Sequence, residues 1–227
     1  MKKNLLVGII FYNELNNLNK LILNIPKNKN YDICFVNDGS TDGSENLIPK
    51  KFTVITHKFN KGYGAAVKSV FQLAKKKYKY VCIFPGDNQR KFLDIEKLYK
   101  ITNSKKKYDI IIGSKFHKIK FIPFRRKIGN QFFSLISRSW NNKILDVMSG
   151  FKIYKVKTTY KLLKILPQNY SFDVCLNYLS CKENFLLKEK DVFCNYKDQT
   201  SKMSSIIYVS LKILFDLFVV FIKYKKK

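Results

Sequence analysis

The segment Asn37-Asp38-Gly39-Ser40-Thr41-Asp42-Gly43-Ser44 decides how this chain of 227 residues is interpreted. It follows the apolar run Ile33-Cys34-Phe35-Val36, which predicts a buried strand. An acidic residue and a glycine-containing turn therefore lie at the carboxyl end of a strand, and in open α/β sheets ligands bind at that edge. Asp38 can accept hydrogen bonds from a ribose or a base. Taken alone, the segment is also consistent with an ordinary turn between a strand and a helix.

Length and composition limit the class of protein. A chain of this length forms one domain with a sizeable core and a short appendage. A hydrophobic content of 46% with 15% aromatic residues excludes a disordered chain. Lys and Arg number 44 against 16 acidic residues, and the net charge of +28 favours acidic partners such as phosphates, nucleotides, anionic lipids or nucleic acid. A general abundance of lysine explains the same excess, so the charge selects no single partner.

The cysteines indicate a reducing compartment, and the amino terminus does not resemble a signal peptide. None of the five cysteines is part of a Cys-x-x-Cys pair, which predicts small buried residues rather than a disulfide or zinc framework. The chain enters a predicted strand directly after Met1-Lys2-Lys3-Asn4, without a small-residue cleavage site, so no signal peptide is expected.

Predicted strands and helices alternate through the first half of the chain. The strands cover residues 5–11, 31–36, 53–56, 80–84 and 108–113. The helices cover residues 15–25, 63–77 and 93–101. In the second half we predict helices over 125–140 and 156–166, and strands over 150–154 and 186–192. This alternation predicts an α/β fold with a mostly parallel sheet that helices cover on both faces.

The end of the chain has a different character. Residues 206–222 are almost wholly apolar and four lysines follow within five residues, while Tyr208, Lys212 and Asp216 recur every fourth residue on one helical face. Charges are costly inside a membrane, so an amphipathic helix that lies in the interface near anionic head groups fits better than a spanning helix. A core helix or an oligomer contact is the alternative. We therefore divide the chain into a catalytic domain, 1–204, and a membrane-associating segment, 205–227.

Four polar segments, in this order and spacing, carry a resemblance to a known family. They are Tyr12-Asn13-Glu14, Asn37-Asp38-Gly39-Ser40, Asn60-Lys61-Gly62-Tyr63-Gly64-Ala65-Ala66 and Gly86-Asp87-Asn88-Gln89. The set resembles family 2 glycosyltransferases, which have the Rossmann-like GT-A fold and use nucleotide sugars. More narrowly it is similar to the polyprenyl-phosphate sugar transferases of the dolichol-phosphate mannose synthase type. The resemblance covers about residues 4–204.

The resemblance implies a donor site and a metal. The residues implied to bind the nucleotide are Tyr12, Glu14, Asn37, Asp38, Asn60, Gly62 and Gly64. Asn37 stands where the family has an acid. Asp87 matches the second acid of a metal-binding Asp-x-Asp and Gln89 a further ligand, whereas Pro85 replaces the first acid. Mg²⁺ or Mn²⁺ bound there stabilises the charge that develops on a nucleoside-diphosphate leaving group.

The resemblance also implies an acceptor site in the second half. Arg125 and Arg126 match a basic segment near the acceptor, and arginine side chains bind phosphate in a bidentate manner. Ser201 and Lys202 match a segment that contacts phosphate. Asp146, before Ser149-Gly150-Phe151, is the candidate base or acceptor-site acid. The implied catalytic residues are thus Asp87, Asp146 and Arg126.

Three functions follow from these patterns. The first is inverting transfer of a sugar from a nucleoside diphosphate to a polyprenyl phosphate, at the cytoplasmic face of a membrane. The second keeps the enzyme class but uses a growing glycan as acceptor, with Asp146 as an essential base. The third is a basic, non-catalytic module that binds membranes or nucleic acid. We expect no nucleic-acid partner, because the lysines are scattered and no nucleic-acid motif is recognisable.

Overall fold

The computed structural model describes residues 3–115, 124–140, 144–195 and 206–226, with side chains from 127 in the second range and from 208 in the last. The strands are β1 Leu5–Phe11, β2 Asp32–Asn37, β3 Thr53–Thr56, β4 Tyr80–Pro85, β5 Ile110–Ser114, β6 Lys152–Lys155 and β7 Leu187–Asp191. The helices are α1 Leu15–Leu23, α2 Tyr63–Ala74, α3 Phe92–Ile101, α4 Phe124–Arg138, α5 Val156–Thr159, α6 Phe172–Lys182 and α7 Ile206–Lys225. Short 3-10 helices cover Ser44–Leu47 and Tyr160–Leu162.

The strands form one sheet of seven in the order β3-β2-β1-β4-β6-β5-β7. β1, β2, β3 and β4 run parallel, and so do β5 and β7, whereas β6 is antiparallel to both of its neighbours. The predicted α/β fold with a mostly parallel sheet is therefore confirmed. Because the first four strands run in one direction, their carboxyl ends share one edge of the sheet.

Both faces of the sheet are buried, as a parallel sheet requires. Alternate residues of one strand point to opposite faces, so Val81 and Ile83 of β4 join the cluster around α2 and α6. Cys82 and Phe84, between and after them, join the cluster around α1 and α3. The strand edges that carry the predicted site residues are thus fixed by two cores.

In the second half, two helices depart from what the sequence predicts. α6 was not predicted, because nine of its eleven residues are buried and no polar face gives it a helical period. The helix predicted over 156–166 ends at Thr159 and continues as a 3-10 turn. The remaining predicted strands and helices are present, with ends shifted by a few residues.

The carboxyl-terminal helix α7 packs on the body of the protein. Its inner face buries Val209, Ile213 and Val220. Asp216 is also buried there, and Lys212 Nζ lies 2.9 Å from its Oδ1. The three polar residues predicted to share one helical face therefore have different environments. Lys212 and Asp216 pair where α7 packs on the protein, whereas Tyr208 is exposed. Within the described ranges, no helix has the length and apolar character needed to cross a membrane.

Candidate active site

Three of the four predicted donor segments leave the sheet side by side. The Asp38 N–H donates to the Phe11 carbonyl at 3.0 Å, and the Gly86 N–H donates to the Ile10 carbonyl at 2.8 Å. β2 and β4 thus end on either side of β1. Adjacent strands lie about 4.8 Å apart, so Asp38 and Asp87 leave strands about 10 Å apart on one edge. One diphosphate-containing ligand can reach both segments.

The loop after β2 caps the first turn of α1, whose own N-cap residue, Glu14, makes no side-chain capping hydrogen bond. Ser40 Oγ accepts from the Asn13 N–H at 2.9 Å, Ser44 Oγ from the Glu14 N–H at 3.0 Å, and Asp42 Oδ2 from the Leu15 N–H at 3.0 Å. These bonds satisfy amide groups that a helix start leaves unpaired. Burial alone would raise the pKa of Asp42, but hydrogen bonds from Ser44 and Leu15 outweigh it and lower that pKa. The two loops therefore form one rigid unit.

The Asp38 carboxylate is turned inward, with 3% of the residue exposed. Oδ1 lies 2.6 Å from His57 Nδ1 and accepts the Lys61 N–H at 3.0 Å, while Oδ2 accepts the Gly62 N–H at 2.8 Å. Asp38 thus holds the turn that precedes α2. Direct contact between Asp38 and a nucleotide stays a prediction.

Asn37 is also buried, and its neighbours explain why an amide stands at this position. Its Nδ2 donates to Glu45 Oε2 at 2.6 Å, and its Oδ1 accepts the Ser40 N–H at 2.8 Å. A carboxylate at residue 37 would face the Glu45 carboxylate at this distance, and like charges repel. The departure from the family pattern is therefore compensated locally by Glu45.

Glycines allow the three loops to approach closely. Gly39 has φ +78°, and a Cβ there would lie 2.4 Å from the Phe59 carbonyl carbon. A Cβ at Gly64 would lie 2.5 Å from the Pro167 carbonyl oxygen. The turn at 59–64 is therefore held between the β2 loop and residues 167–169. Tyr12 and Asn60 are exposed beside it, and Glu14 accepts a hydrogen bond from Asn17 at 2.6 Å.

Asp87 occupies the turn after β4 and is partly exposed. Its Oδ1 accepts the Gln89 N–H at 3.1 Å, and Asn88 between them has φ +55°. Gln89 is 7% exposed, its Oε1 lies 3.7 Å from Cys194 Sγ, and its Nε2 has no hydrogen-bond partner. The prediction that Gln89 binds a metal therefore requires its side chain to turn outward.

The described residues fit a metal held mainly by the substrate. Among them, no group of three or more His, Cys, Asp or Glu side chains lies close enough to form a protein-only metal site. Mg²⁺ is commonly held by one or two carboxylates together with substrate phosphates and water. Asp87, at the edge where the loops converge, suits that arrangement.

Asp146 lies at the other end of the sheet edge and is fully buried. Its Oδ2 accepts the Lys115 N–H at 3.1 Å, and its Oδ1 lies 3.5 Å from Lys115 Nζ without a hydrogen-bond partner. Glu189 of β7 accepts the N–H groups of Leu145 and Asp146 at 2.9 and 2.7 Å. The loop that carries the candidate base is thus fixed from β7, and Lys115 covers it.

The predicted acceptor residues are described only in part. Arg125 and Arg126 lie in the first turn of α4, and their side chains fall outside the described residues. Ser201 and Lys202 also lie outside them. Two residues further along α4 stabilise the 144–148 loop, since Asn130 Nδ2 donates to the Leu145 carbonyl and Ser134 Oγ to the Ile144 carbonyl. α4 and the Asp146 loop therefore form one unit.

Sequence reasoning missed a buried ionic cluster behind the Asp146 loop. Lys152 Nζ lies 2.5 Å from Asp173 Oδ1 and donates to the Val147 carbonyl at 3.2 Å. Burial raises the pKa of Asp173, and the Lys152 ammonium opposes that rise. Burial also raises the pKa of Tyr154, whose hydroxyl lies 3.4 Å from Asp173. The partners are 21 residues apart in different elements, so no local motif marks them.

Comparison with known proteins now defines the class. Residues 6–163 match glycosyl transferase family 2, and the chain belongs to this family. It is therefore a glycosyltransferase, as predicted, and the alternative of a non-catalytic module is not supported. Two similar curated proteins, Uncharacterized protein MJ1222 and Uncharacterized protein MJ0544, both come from Methanocaldococcus jannaschii. They are 25% and 27% identical over 95% and 91% of this chain, and over 91% and 92% of their own lengths.

Solved structures of Mycobacterium tuberculosis glucosyl-3-phosphoglycerate synthase share the fold. One, in complex with Mn²⁺, UDP and glucosyl-3-phosphoglycerate, has a TM-score of 0.73 at 15% identity and covers 96% of this chain and 80% of its own. Another, with Mg²⁺ and UDP, has a TM-score of 0.70 at 15% identity and covers 96% and 79%. The predicted GT-A fold is thereby confirmed. The narrower polyprenyl-phosphate type stays a prediction.

Proposed function

We propose that this glycosyltransferase moves a sugar from a nucleoside diphosphate to a polyprenyl phosphate, with inversion, at the cytoplasmic face of a membrane. The observation that carries the donor half is the convergence of the β1, β2 and β4 loops on one edge, in a member of glycosyl transferase family 2. Solved relatives of the same fold hold UDP with Mn²⁺ or Mg²⁺, which supports a metal-assisted nucleotide site here.

The chemistry needs a donor held by its diphosphate. Asp87 would hold Mg²⁺ or Mn²⁺, which when bound supplies positive charge to the leaving diphosphate. Tyr12, Glu14 and Asn60, at the rim of the converging loops, would contact the nucleoside. In the reaction an acceptor phosphate oxygen forms the new bond to the anomeric carbon from the face opposite the diphosphate, the old carbon–oxygen bond breaks, and the nucleoside diphosphate leaves with the electron pair.

The burial of Asp146 favours a phosphate acceptor over a sugar hydroxyl. A hydroxyl must lose a proton as it attacks, so a base has to reach it. Asp146 is fully buried and Lys115 lies against it. A phosphate oxygen is already ionised near neutral pH and needs positioning and charge neutralisation instead. Arg125 and Arg126, in the first turn of α4, are the proposed ligands of that phosphate, with Ser201 and Lys202.

The outer faces of two helices support a membrane location. The exposed side of α7 carries Tyr208, Leu211, Phe215, Phe218 and Ile222, spaced as one helical face. On α4, which packs beside α7, Ile128, Phe132 and Leu135 are exposed as well. Lys223 and Lys225 follow in the last turn of α7. An apolar face next to lysines suits an interface of anionic lipid, where the acceptor is found.

The acceptor is tested by incubating the purified full chain with a panel of nucleotide sugars, Mn²⁺ and a short-chain polyprenyl phosphate. The expected result is an organic-extractable sugar phosphate lipid, formed with one donor class. Phosphoglycerate serves as the soluble comparison, since it is the acceptor in the solved relatives. No lipid product from any donor, with the fold intact, would reject the proposed acceptor.

The membrane surface is tested by flotation with vesicles of phosphatidylcholine containing phosphatidylglycerol. Replacing Phe215 and Phe218, which are 60% and 58% exposed, by serine should release the protein from these vesicles. The matched control replaces Leu23 and Leu93, exposed by 80% and 64% on α1 and α3, by serine. Equal binding by the two double variants would contradict the assignment of this face.

The glycan acceptor stays the second candidate within the same enzyme class. It predicts that Asp146→Asn abolishes transfer to a glycan, because the base is lost. If the acceptor is a phosphate, Asp146 is not the base. Asp146→Asn would then affect transfer only through the lost ion pair with Lys115 and a change in the 144–148 loop. A wild-type chain that transfers sugar to a glycan and to no lipid phosphate would favour this alternative.

A further inference from the structure

Residues 167–173 form the connection that leads into α6, and they contact the start of α2. The Ala65 N–H, in the first turn of α2, donates to the Gln168 carbonyl at 2.8 Å and to the Gly62 carbonyl at 3.0 Å. A Cβ at Gly62 would lie 2.8 Å from the same Gln168 oxygen, so the two main chains are in direct contact. Amide groups in a first helical turn need partners from outside the helix. The Gln168 carbonyl therefore helps to fix where α2 begins.

The same connection is bound from the other side by Asp216 of α7. Asp216 Oδ2 accepts from Asn169 Nδ2 at 2.8 Å and from Ser171 Oγ at 2.7 Å. The orientation of the Asn169 amide follows from a further bond, because its Oδ1 accepts the Ser171 N–H at 2.7 Å. Lys212 Nζ donates to the other carboxylate oxygen at 2.9 Å. Asp216 is 8% exposed, so α7 contributes a buried carboxylate that orders the residues after Gln168.

The path of this connection depends on such side-chain bonds. From 163 to 171 the chain forms neither an α-helix nor a strand, so no regular ladder of main-chain bonds fixes it. Asn169 and Ser171 share the Asp216 carboxylate as acceptor, and both donors lose that partner when it is removed. Gln168 directly precedes Asn169. A displaced Asn169 therefore moves the carbonyl that binds Ala65.

We propose that Asp216 is a positioning residue for the donor site, which acts from α7 through residues 168–171 on the first turn of α2. The proposal rests on the donor site of the proposed function, because the Lys61 and Gly62 N–H groups bind Asp38 beside the predicted nucleotide site. α7 then belongs to the catalytic unit in addition to carrying the exposed apolar face. The division of the chain after residue 204 places it outside that unit.

Nucleotide affinity of the full chain tests the proposal in solution, without a membrane. Calorimetric titration with UDP, GDP, ADP and dTDP, each with Mn²⁺, should show about tenfold weaker binding in Asp216→Ala than in wild type. Val220→Ala is the matched control, because Val220 is buried on the same face of α7, four residues further along. It loosens the apolar packing of α7 and leaves the bonds of Asp216 in place, so its affinity should stay within about twofold of wild type. An equal loss in both variants would overturn the positioning role.

Amide hydrogen exchange tests the same link without a nucleotide. In Asp216→Ala the Ala65 amide should exchange about tenfold faster, because its bond to Gln168 opens more often. The Val70 amide, in the middle of α2, should not change, and Val220→Ala should leave Ala65 as in wild type. Unchanged exchange at Ala65 in a folded Asp216→Ala protein would overturn the proposal. A wild-type chain that binds none of the nucleotides would instead contradict the donor site, while the exchange result still decides the role of Asp216.

A double-mutant cycle shows whether Asp216 acts through the connection. Ser171→Ala removes one bond to the carboxylate and should itself speed exchange at Ala65. Added to Asp216→Ala, it should have little further effect, because both changes break the same bond. Fully additive effects would overturn the proposed route. Asp216→Asn keeps the shape of the side chain and one acceptor oxygen, so it replaces Asp216→Ala in all three measurements if the alanine variant does not fold.

Discussion

The donor half and the acceptor half of this enzyme are held together in different ways. In the donor half, residues 5–101, loops that leave neighbouring parallel strands bond one another through main-chain N–H groups and polar side chains, as Ser40 and Asp42 do with the start of α1. In the acceptor half, the described residues after 101, buried charged side chains connect separate elements, such as Lys152 with Asp173 and Asp216 with Ser171. The family match covers residues 6–163, which is nearly all of the donor half and the part of the acceptor half that contains Asp146. It does not reach α6, β7 and α7.

The largest expected effect is in the donor half. Asp87→Ala should reduce turnover at least about ten-thousandfold, about 5.5 kcal/mol in activation free energy, because the leaving diphosphate loses the carboxylate that we propose holds its metal. Sugar-transfer assays measure this. Glu96→Gln, on α3 at the opposite edge, is the control and should behave as wild type. Full activity in Asp87→Ala would contradict the proposal that Asp87 holds the metal.

The second effect is on stability in the acceptor half. Lys152→Met leaves the Asp173 carboxylate buried without its cation, which should cost about 3–5 kcal/mol of unfolding free energy. Urea unfolding measures it, with the exposed Lys188→Met as a control. Adding Asp173→Leu to Lys152→Met should restore much of the loss, because an apolar pair replaces a broken ion pair. A loss of less than about 1 kcal/mol, which is the range of solvent-exposed ion pairs, would contradict the view that buried charges hold the acceptor half together.

The docking of α7 should depend on pH. Burial tends to raise the pKa of Asp216, but hydrogen bonds from Lys212, Asn169 and Ser171 outweigh it and hold that pKa below its ordinary 3.8. A carboxyl whose pKa is lowered by folding contributes stability above its unfolded value and loses it as pH falls through the folded value. α7 should therefore loosen in acid below about pH 4.

The single tryptophan reports this change. Trp140 packs on Tyr178, which in turn contacts Phe221 of α7. Its fluorescence should shift as acid loosens the helix, and Asp216→Asn should show the loosened signal already at neutral pH. Fluorescence that does not change with pH in wild type, with α7 still protected from proteolysis, would contradict the ion-pair account.

The smallest effect compares one glycine from each half. Gly39→Ala places a Cβ 2.4 Å from the Phe59 carbonyl carbon at a positive φ, so it should destabilise by about 1–3 kcal/mol. Gly129 lies within α4, and a Cβ there has no atom within 4 Å. Gly129→Ala should therefore stabilise by about 0.5–1 kcal/mol. Thermal unfolding measures both, and effects of the same sign would refute the difference in packing.

The sequence predicted the donor half well because its signals are local. The apolar run before Asp38 and the turn after it are adjacent in the chain, so the strand, the edge and the loop follow from one segment. It did not predict that Asp38 faces His57 rather than solvent, because that contact spans 19 residues and two elements. Helix α6 was not predicted, because it is buried on all sides and has no amphipathic pattern. The burial of Asp216 was not predicted either, because its partners Asn169 and Ser171 lie 47 and 45 residues away in the chain.

The central claim is that the strand-end loops of the donor half bind a nucleotide sugar through its diphosphate and a divalent ion. Calorimetric titration of the full chain with a panel of nucleoside diphosphates, with and without Mn²⁺, tests it most directly. We predict that at least one nucleotide binds about tenfold or more tightly with Mn²⁺, and that Asp87→Ala removes this gain. Absence of binding by the whole panel, or a metal-dependent gain that survives in Asp87→Ala, would contradict the claim.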